Sequence, residues 1–199
     1  SNWNPAAVPN AQDATAVFGS SDNAMVAIED GQVAAFRFDA GAPSYVVNIA
    51  PANEGQGGGF FMWGDGIVNN SGRIQTINVS SFGLSLQNGA SLGNDQVVVN
   101  LTGTGQIDFD KNSTGGRAAL DMNSSRGVLI LGDSHEVSLG SLSGTGSGEI
   151  TFRGYGQSLT IGANDQSTTF ASRFTEFNGS GSLHKVGTGT LVLSGINSH

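Results

Sequence analysis

The sequence predicts an all-β protein whose short strands are wound into stacked coils, and three features of the chain point to it. Glycine supplies 31 of the 199 residues while charged residues make up only 12%. That is about half the ~25% usual for a soluble domain, so the polar surface falls to Ser, Thr, Asn and Gln. Val, Ile, Leu and Phe alternate with polar residues in short runs between Gly, Asn and Asp corners, and no apolar stripe persists at helical spacing. Glycine-paired segments also recur. Gly179/Gly181 with Leu183 returns as Gly187/Gly189 with Leu191, and Leu101 to Gly105 followed by Ile107 and Phe109 returns as Leu142 to Gly146 followed by Ile150 and Phe152. Self-similarity of this kind suggests units that each bury an apolar face on the next. At about 4.8 Å per coil, on the order of 8–10 coils would build a rod of roughly 40–50 Å.

In chain order, two prolines and turn residues open the sequence, and Ala14/Ala16/Phe18 then alternate as a strand whose aromatic end caps a core. Met25 to Gly31 and Val33 to Phe38 read as two strands broken at Asp30-Gly31, and Tyr45 to Ile49 as a third. After the glycine run Gly55 to Gly59 comes the densest aromatic cluster, Phe60-Phe61-Met62-Trp63. As a strand it puts Phe60 and Met62 on one face and Phe61 and Trp63 on the other. Gly64 to Gly72 reads as turn, short strand, turn. Ile74, Ile77, Val79, Phe82, Leu84, Leu86 and Leu92 follow with Asn, Ser and Gly between them, and Val128 to Leu131, Val137/Leu139/Leu142 and Leu159 to Gly162 read as short strands. In the closing stretch Leu183, Leu191 and Leu193 share one face and Thr190 and Val192 the other, giving two strands joined by a glycine corner.

The totals exclude some partners. The formal net charge is −8, with eight basic residues scattered from Arg37 to Lys185; nucleic acid and anionic lipid both need clustered Lys and Arg. No apolar run approaches the length of a bilayer-spanning helix. With no cysteine there are no disulfides and no Cys-ligated zinc. A start at Ser1 suggests a processed or excised piece.

The residues from Asn178 to Asn197 resemble the passenger-associated strand repeat of bacterial autotransporters, which reads approximately G-x-G-x-L-x-K-x-G-x-G-x-L-x-L-x-G-x-N. Gly179, Gly181, Leu183, Lys185, Gly187, Gly189, Leu191, Leu193, Gly195 and Asn197 fill the marked positions. Trp3-Asn4-Pro5 with Val8-Pro9-Asn10 through Phe18-Gly19, and Gly64 to Gly72, are similar to other recurring elements of such passengers. The resemblance implies a right-handed parallel β-helix (β-solenoid) of pectate-lyase-like architecture, a single passenger segment over residues 1–199 with its clearest repeat at 178–197. It further implies export to the surface of a Gram-negative cell, or secretion, through a C-terminal outer-membrane barrel that this chain lacks. The only membrane contact expected is through that barrel. An exported chain also does well to avoid disulfide-locked structure, which suits the absence of cysteine.

Chemistry-bearing constellations are few. His135, His184 and His199 sit in a turn, between strand residues and at the terminus, with no triad context and no Gly-x-Ser-x-Gly elbow. The run Gly55 to Gly59 lacks the Lys-Ser/Thr of a phosphate loop, so no cofactor is expected. Asp108 and Asp110 share a strand face beside Lys111, with Arg117 further on; the pattern admits calcium binding or lyase chemistry but reads first as a solvated outer face, and no metal site is expected. Asn69-Asn70 is a candidate amide ladder between coils. Phe61 and Trp63 form the candidate partner patch, either a hydrophobic plug under the glycine loop or exposed aromatics that stack on sugar rings or partner surfaces. The expectation is a non-enzymatic surface passenger acting in adhesion, self-association or as a stalk, with a host-surface or matrix ligand, a glycan or a second copy as partner. A polysaccharide lyase or hydrolase on the same coil is the alternative, and a folding and secretion module a third reading.

Overall fold

The computed structural model describes residues 8–50, 59–81, 83–130, 136–178 and 180–197. Among these residues there is no helix, and parallel strands stack as a β-solenoid of about 7 turns. The first ten strands alternate between two sheets. They are β1 (Thr15–Phe18), β2 (Met25–Ile28), β3 (Gly31–Phe38), β4 (Val46–Ile49), β5 (Phe60–Asn69), β6 (Gln75–Val79), β7 (Gly83–Leu86), β8 (Val97–Leu101), β9 (Gln106–Phe109) and β10 (Ala119–Met122). The rest come in threes: β11 (Gly127–Ile130), β12 (Glu136–Leu139) and β13 (Ser141–Ser143), then β14 (Glu149–Phe152), β15 (Gln157–Ile161) and β16 (Thr168–Phe170), then β17 (Arg173–Glu176), β18 (Gly181–Lys185) and β19 (Leu191–Leu193).

One sheet runs the length of the stack in the order β1-β3-β5-β7-β9-β11-β14-β17, and a second runs β13-β10-β8-β6-β4-β2. The pair β16-β19 extends the second sheet through the parallel bridge Gly144 to Phe170, and β12-β15-β18 forms a third wall. Eight strands on one wall delimit about seven turns, fewer than the 8–10 coils expected. The circuits are long: Asn78 and Asn100 on adjacent turns are 22 residues apart, Glu149 and Arg173 are 24, and Asn48 and Asn78 are 30.

Alternation decides what each strand buries. Phe60, Leu84, Ile107, Val128, Ile150 and Phe174 lie in register across the long sheet and point inward, each at most 3% exposed. Burying such a side chain stabilises by roughly 1.5–3 kcal/mol before the entropy of ordering it is counted. The expected aromatic cap is present. Phe18 stacks on Phe38 at 4.7 Å between centroids and meets Tyr45 edge-on at 5.3 Å, while the Tyr45 hydroxyl donates to Gly19 O at 2.9 Å.

Outward residues of the second sheet make an amide ladder: Asn78 Nδ2 donates to Asn48 Oδ1 and Asn100 Nδ2 to Asn78 Oδ1, each at 2.8 Å. This ladder is not at Asn69-Asn70. Asn69 closes a corner instead, donating to Arg73 O and Gln96 O at 2.9 and 3.2 Å and accepting from the Ser71 N–H and hydroxyl, while Asn70 is exposed. Beneath that corner Gln75, fully buried, accepts from Tyr45 N at 2.8 Å and donates to Pro43 O and the Ser71 hydroxyl, which ties the wide circuit to its neighbour. The closing stretch forms the two expected strands, with Leu183 and Leu191 packed on the core and Leu193 36% exposed.

Candidate functional site

The turn expected at Gly64 is a bulge inside a continuous strand. Pairing between β3 and β5 runs to Val33 opposite Met62 and resumes with Ala35 opposite Gly66, so Trp63, Gly64 and Asp65 face Ala34 alone. Extra residues in one strand bend it and re-aim its side chains. The glycines make this possible. A Cβ on Gly64 would come within 3.1 Å of the Ala34 Cβ, and Gly66, at φ +75°, lies so close to Ser91 that a Cβ would enter its backbone. The Ile67 N–H then donates to Ser91 O at 2.8 Å, fixing the bend against the next turn.

Just before the bulge, Phe60 and Met62 are buried while Phe61 and Trp63 stand half-buried on the outer face, as their alternation predicts. Their rings lie 22° from parallel with centroids 6.1 Å apart, and Lys111 Nζ sits 5.7 Å from the Trp63 centroid. Trp63 Nε1 is sealed from solvent and has no hydrogen-bond partner among the described residues.

The same face continues across the next two strands. Register places Ser85 beside Phe61 and Asp108 beside Ser85, and Gly83 beside Gln106. Gln87 Nε2 donates to the Ser85 hydroxyl at 2.8 Å, and Gln106 Nε2 to Asp108 Oδ1 at 2.6 Å. Gly83 contributes no side chain beside the carboxylate, and a Cβ there would meet Asp108 Oδ2 at 3.8 Å, in ordinary contact. Burial pushes the Asp108 carboxyl above the ordinary range; the Gln106 hydrogen bond and the positive charge of Arg153 oppose the shift, and the negative charge of Asp110 adds to it. The arrangement is an aromatic pair beside amide, hydroxyl and carboxyl groups on one flat wall.

No protein-family model, curated protein or solved structure matches the chain.

The other candidate residues fall elsewhere. Asp110 caps its turn, its Oδ1 accepting from Lys111 N at 2.9 Å while its own N–H donates to the Ser113 hydroxyl at 2.8 Å. Lys111 covers Trp63 rather than facing Asp108, and Arg117 pairs with Asp95 at 3.4 Å with both side chains about half exposed. Among the described residues no three His, Cys, Asp or Glu side chains are grouped to hold a metal ion. His184 lies on β18 with Nε2 3.3 Å from the Ser182 hydroxyl. His135, His199 and Gly55 to Gly58 lie outside the described residues. The structure thus brings Phe61, Trp63 and Asp108 onto one face and adds Ser85, Gln87 and Gln106. Parity on each strand hints at the last three, but only inter-strand register places them beside the aromatics.

Proposed function

We propose that this chain is a non-enzymatic, surface-displayed β-solenoid, a passenger segment of autotransporter type that adheres to a host-surface, matrix or glycan ligand or to itself. The glycine-leucine string from Gly179 to Asn197 supports the passenger reading, and with it export through an outer-membrane barrel and a role in virulence. The observation that carries the adhesive reading is the division of the outer surface. The second sheet presents a neutral ladder of Asn48, Asn78 and Asn100, while the long sheet presents a half-buried aromatic pair on the bulged β5. Neutral polar walls let like or foreign surfaces approach, and aromatic patches anchor them.

The experiment displays residues 1–199 on beads or cells and scores aggregation and binding to matrix proteins and glycans, with a polysaccharide-cleavage assay alongside. Adhesion without cleavage is the expected outcome. One observation favours the enzymatic alternative: Asp108 is a partly buried carboxyl on the outer face of β9, held toward its neutral form as a general acid requires. Cleavage abolished by Asp108→Asn would replace the adhesive reading with that one.

A further inference from the structure

We infer that the outer face of β5, β7 and β9 is a binding site for a neutral glycan, its sugar rings resting on Phe61 and Trp63 and its hydroxyls bonded by Gln106 and Asp108, with the buried pair Ser85 and Gln87 bracing the wall beneath. The inference rests on the adhesive reading above and names its ligand class. Phe61 and Trp63 are close to parallel and half-buried, which holds their rings in fixed positions while part of each stays in contact with solvent. Rigid aromatics of this kind suit the apolar C–H face of a sugar ring.

The polar groups around them suit its rim. Gln106 gives one amide hydrogen to Asp108 and keeps the second, with the amide oxygen as an acceptor. Asp108 uses one carboxyl oxygen for Gln106 and keeps the other beside the side-chain-free Gly83, while Ser85 and Gln87, each 8% exposed, pair with each other and brace the wall. A sugar hydroxyl both donates and accepts, and a cluster offering both on one plane matches it. These partners are themselves fixed by hydrogen bonds within the wall, so little side-chain freedom is lost on binding.

Charge and topology select against other ligands. Asp108 stands on the face and Asp110 in the turn that follows it, Lys111 is over Trp63, and Arg153 is over the Phe177 ring at 5.1 Å, in a chain of net charge −8. A phosphate or uronate chain would meet carboxylates without a dedicated cation. An extended peptide would need an open strand edge to add to, and β5, β7 and β9 are each paired on both sides.

The test is calorimetric titration of the 199-residue chain with neutral cello-, xylo-, malto- and chito-hexaose and with anionic hexagalacturonate. The Trp3→Phe background leaves Trp63 as the sole tryptophan and allows fluorescence to locate the ligand. At least one neutral hexamer is expected to bind and shift Trp63 emission, with affinity falling ten-fold or more in Trp63→Ser. Gln106→Ala, on the wall rather than in the core, is expected to weaken binding several-fold at unchanged Tm, and keeps the test valid if Trp63→Ser fails to fold. The inference is overturned if no neutral hexamer binds, if hexagalacturonate binds more tightly, or if Gln106→Ala and Trp63→Ser leave affinity unchanged. Beads that adhere while every hexamer is silent would sink this inference and leave the adhesive reading standing. A neutral hexamer on the wall with no adhesion of any kind would do the reverse.

Discussion

The wide circuit between β3 and β5 and the closing repeat that ends in β19 are written in the same glycine-punctuated alternation, yet they spend their outward side chains differently. In the closing repeat the polar groups serve the stack. Asp165 Oδ1 accepts from both the N–H and the hydroxyl of Thr188 one turn on, and the Ser167 hydroxyl accepts from Thr190 N. In the wide circuit the extra residues become a bulge, and among the described residues Trp63 Nε1 has no partner and Asp108, two strands along the sheet, is desolvated without an ion pair at contact distance. A regular circuit uses its surface to hold the next one, and a departure from regularity releases side chains for something else.

The largest effect should separate the middle of the stack from its closing end. Phe109, fully buried, is expected to cost about 3–5 kcal/mol on truncation to Ala, whereas Leu193, 36% exposed, should cost under about 1 kcal/mol in urea unfolding. Equal losses would mean that the end is packed as tightly as the middle. Next, Gly66→Ala is expected to destabilise by about 1–3 kcal/mol through its positive φ alone, more if Ser91 cannot shift, and to lower binding at the Trp63 wall because the bulge moves. A variant of unchanged stability would show that the bulge is loosely held. Smaller is Asn78→Ala, which removes two rungs of the amide ladder and should cost about 1–2 kcal/mol, read as a shifted urea midpoint at constant slope.

The smallest effect is the most diagnostic, because the two carboxyls should respond to pH with opposite sign. The native state raises the Asp108 pKa, so between the unfolded and folded values it holds more proton than the unfolded chain does, and stability is lost as pH rises through that window. Asp108→Asn should therefore be neutral to stabilising at pH 7, with the difference vanishing below the unfolded value near ~3.9. The Asp165 pKa is lowered by the Thr188 backbone and hydroxyl hydrogen bonds, so its contribution is present above ~3.9 and lost as pH falls toward the folded value. Melting curves of the two Asn variants from pH 3 to pH 7 check both signs. Parallel profiles would erase the contrast between the two regions.

Much of the fold could be read from the chain because alternation is local. Phe60 and Met62 inside with Phe61 and Trp63 outside follows from parity alone, as do the closing strands. What failed was anything that depends on which residue lies beside which. Gly64-Asp65-Gly66 reads as a turn, since glycine marks a turn and a bulge alike, and only the packing of β3 and Ser91 against β5 distinguishes them. The amide ladder was sought in adjacent asparagines, but its rungs are one circuit apart, with one step of 22 residues and another of 30. Ser85, Gln87 and Gln106 join the wall for the same reason. Circuit length is set by inserts at the corners, and a one-residue error in it reverses the face of every side chain that follows.

In-register stacking has a consequence for how the molecule opens. Each circuit of the long sheet hydrogen-bonds only to the circuits before and after it, as β7 does to β5 and β9. Backbone amides in β7 and β9 can then exchange with solvent only when the circuits on either side of them separate. Hydrogen exchange should therefore record a graded sequence of protection along the axis rather than one global value. The wall that bears Phe61, Ser85 and Asp108 lies on strands paired on both sides, so its geometry is kept until a neighbouring circuit leaves.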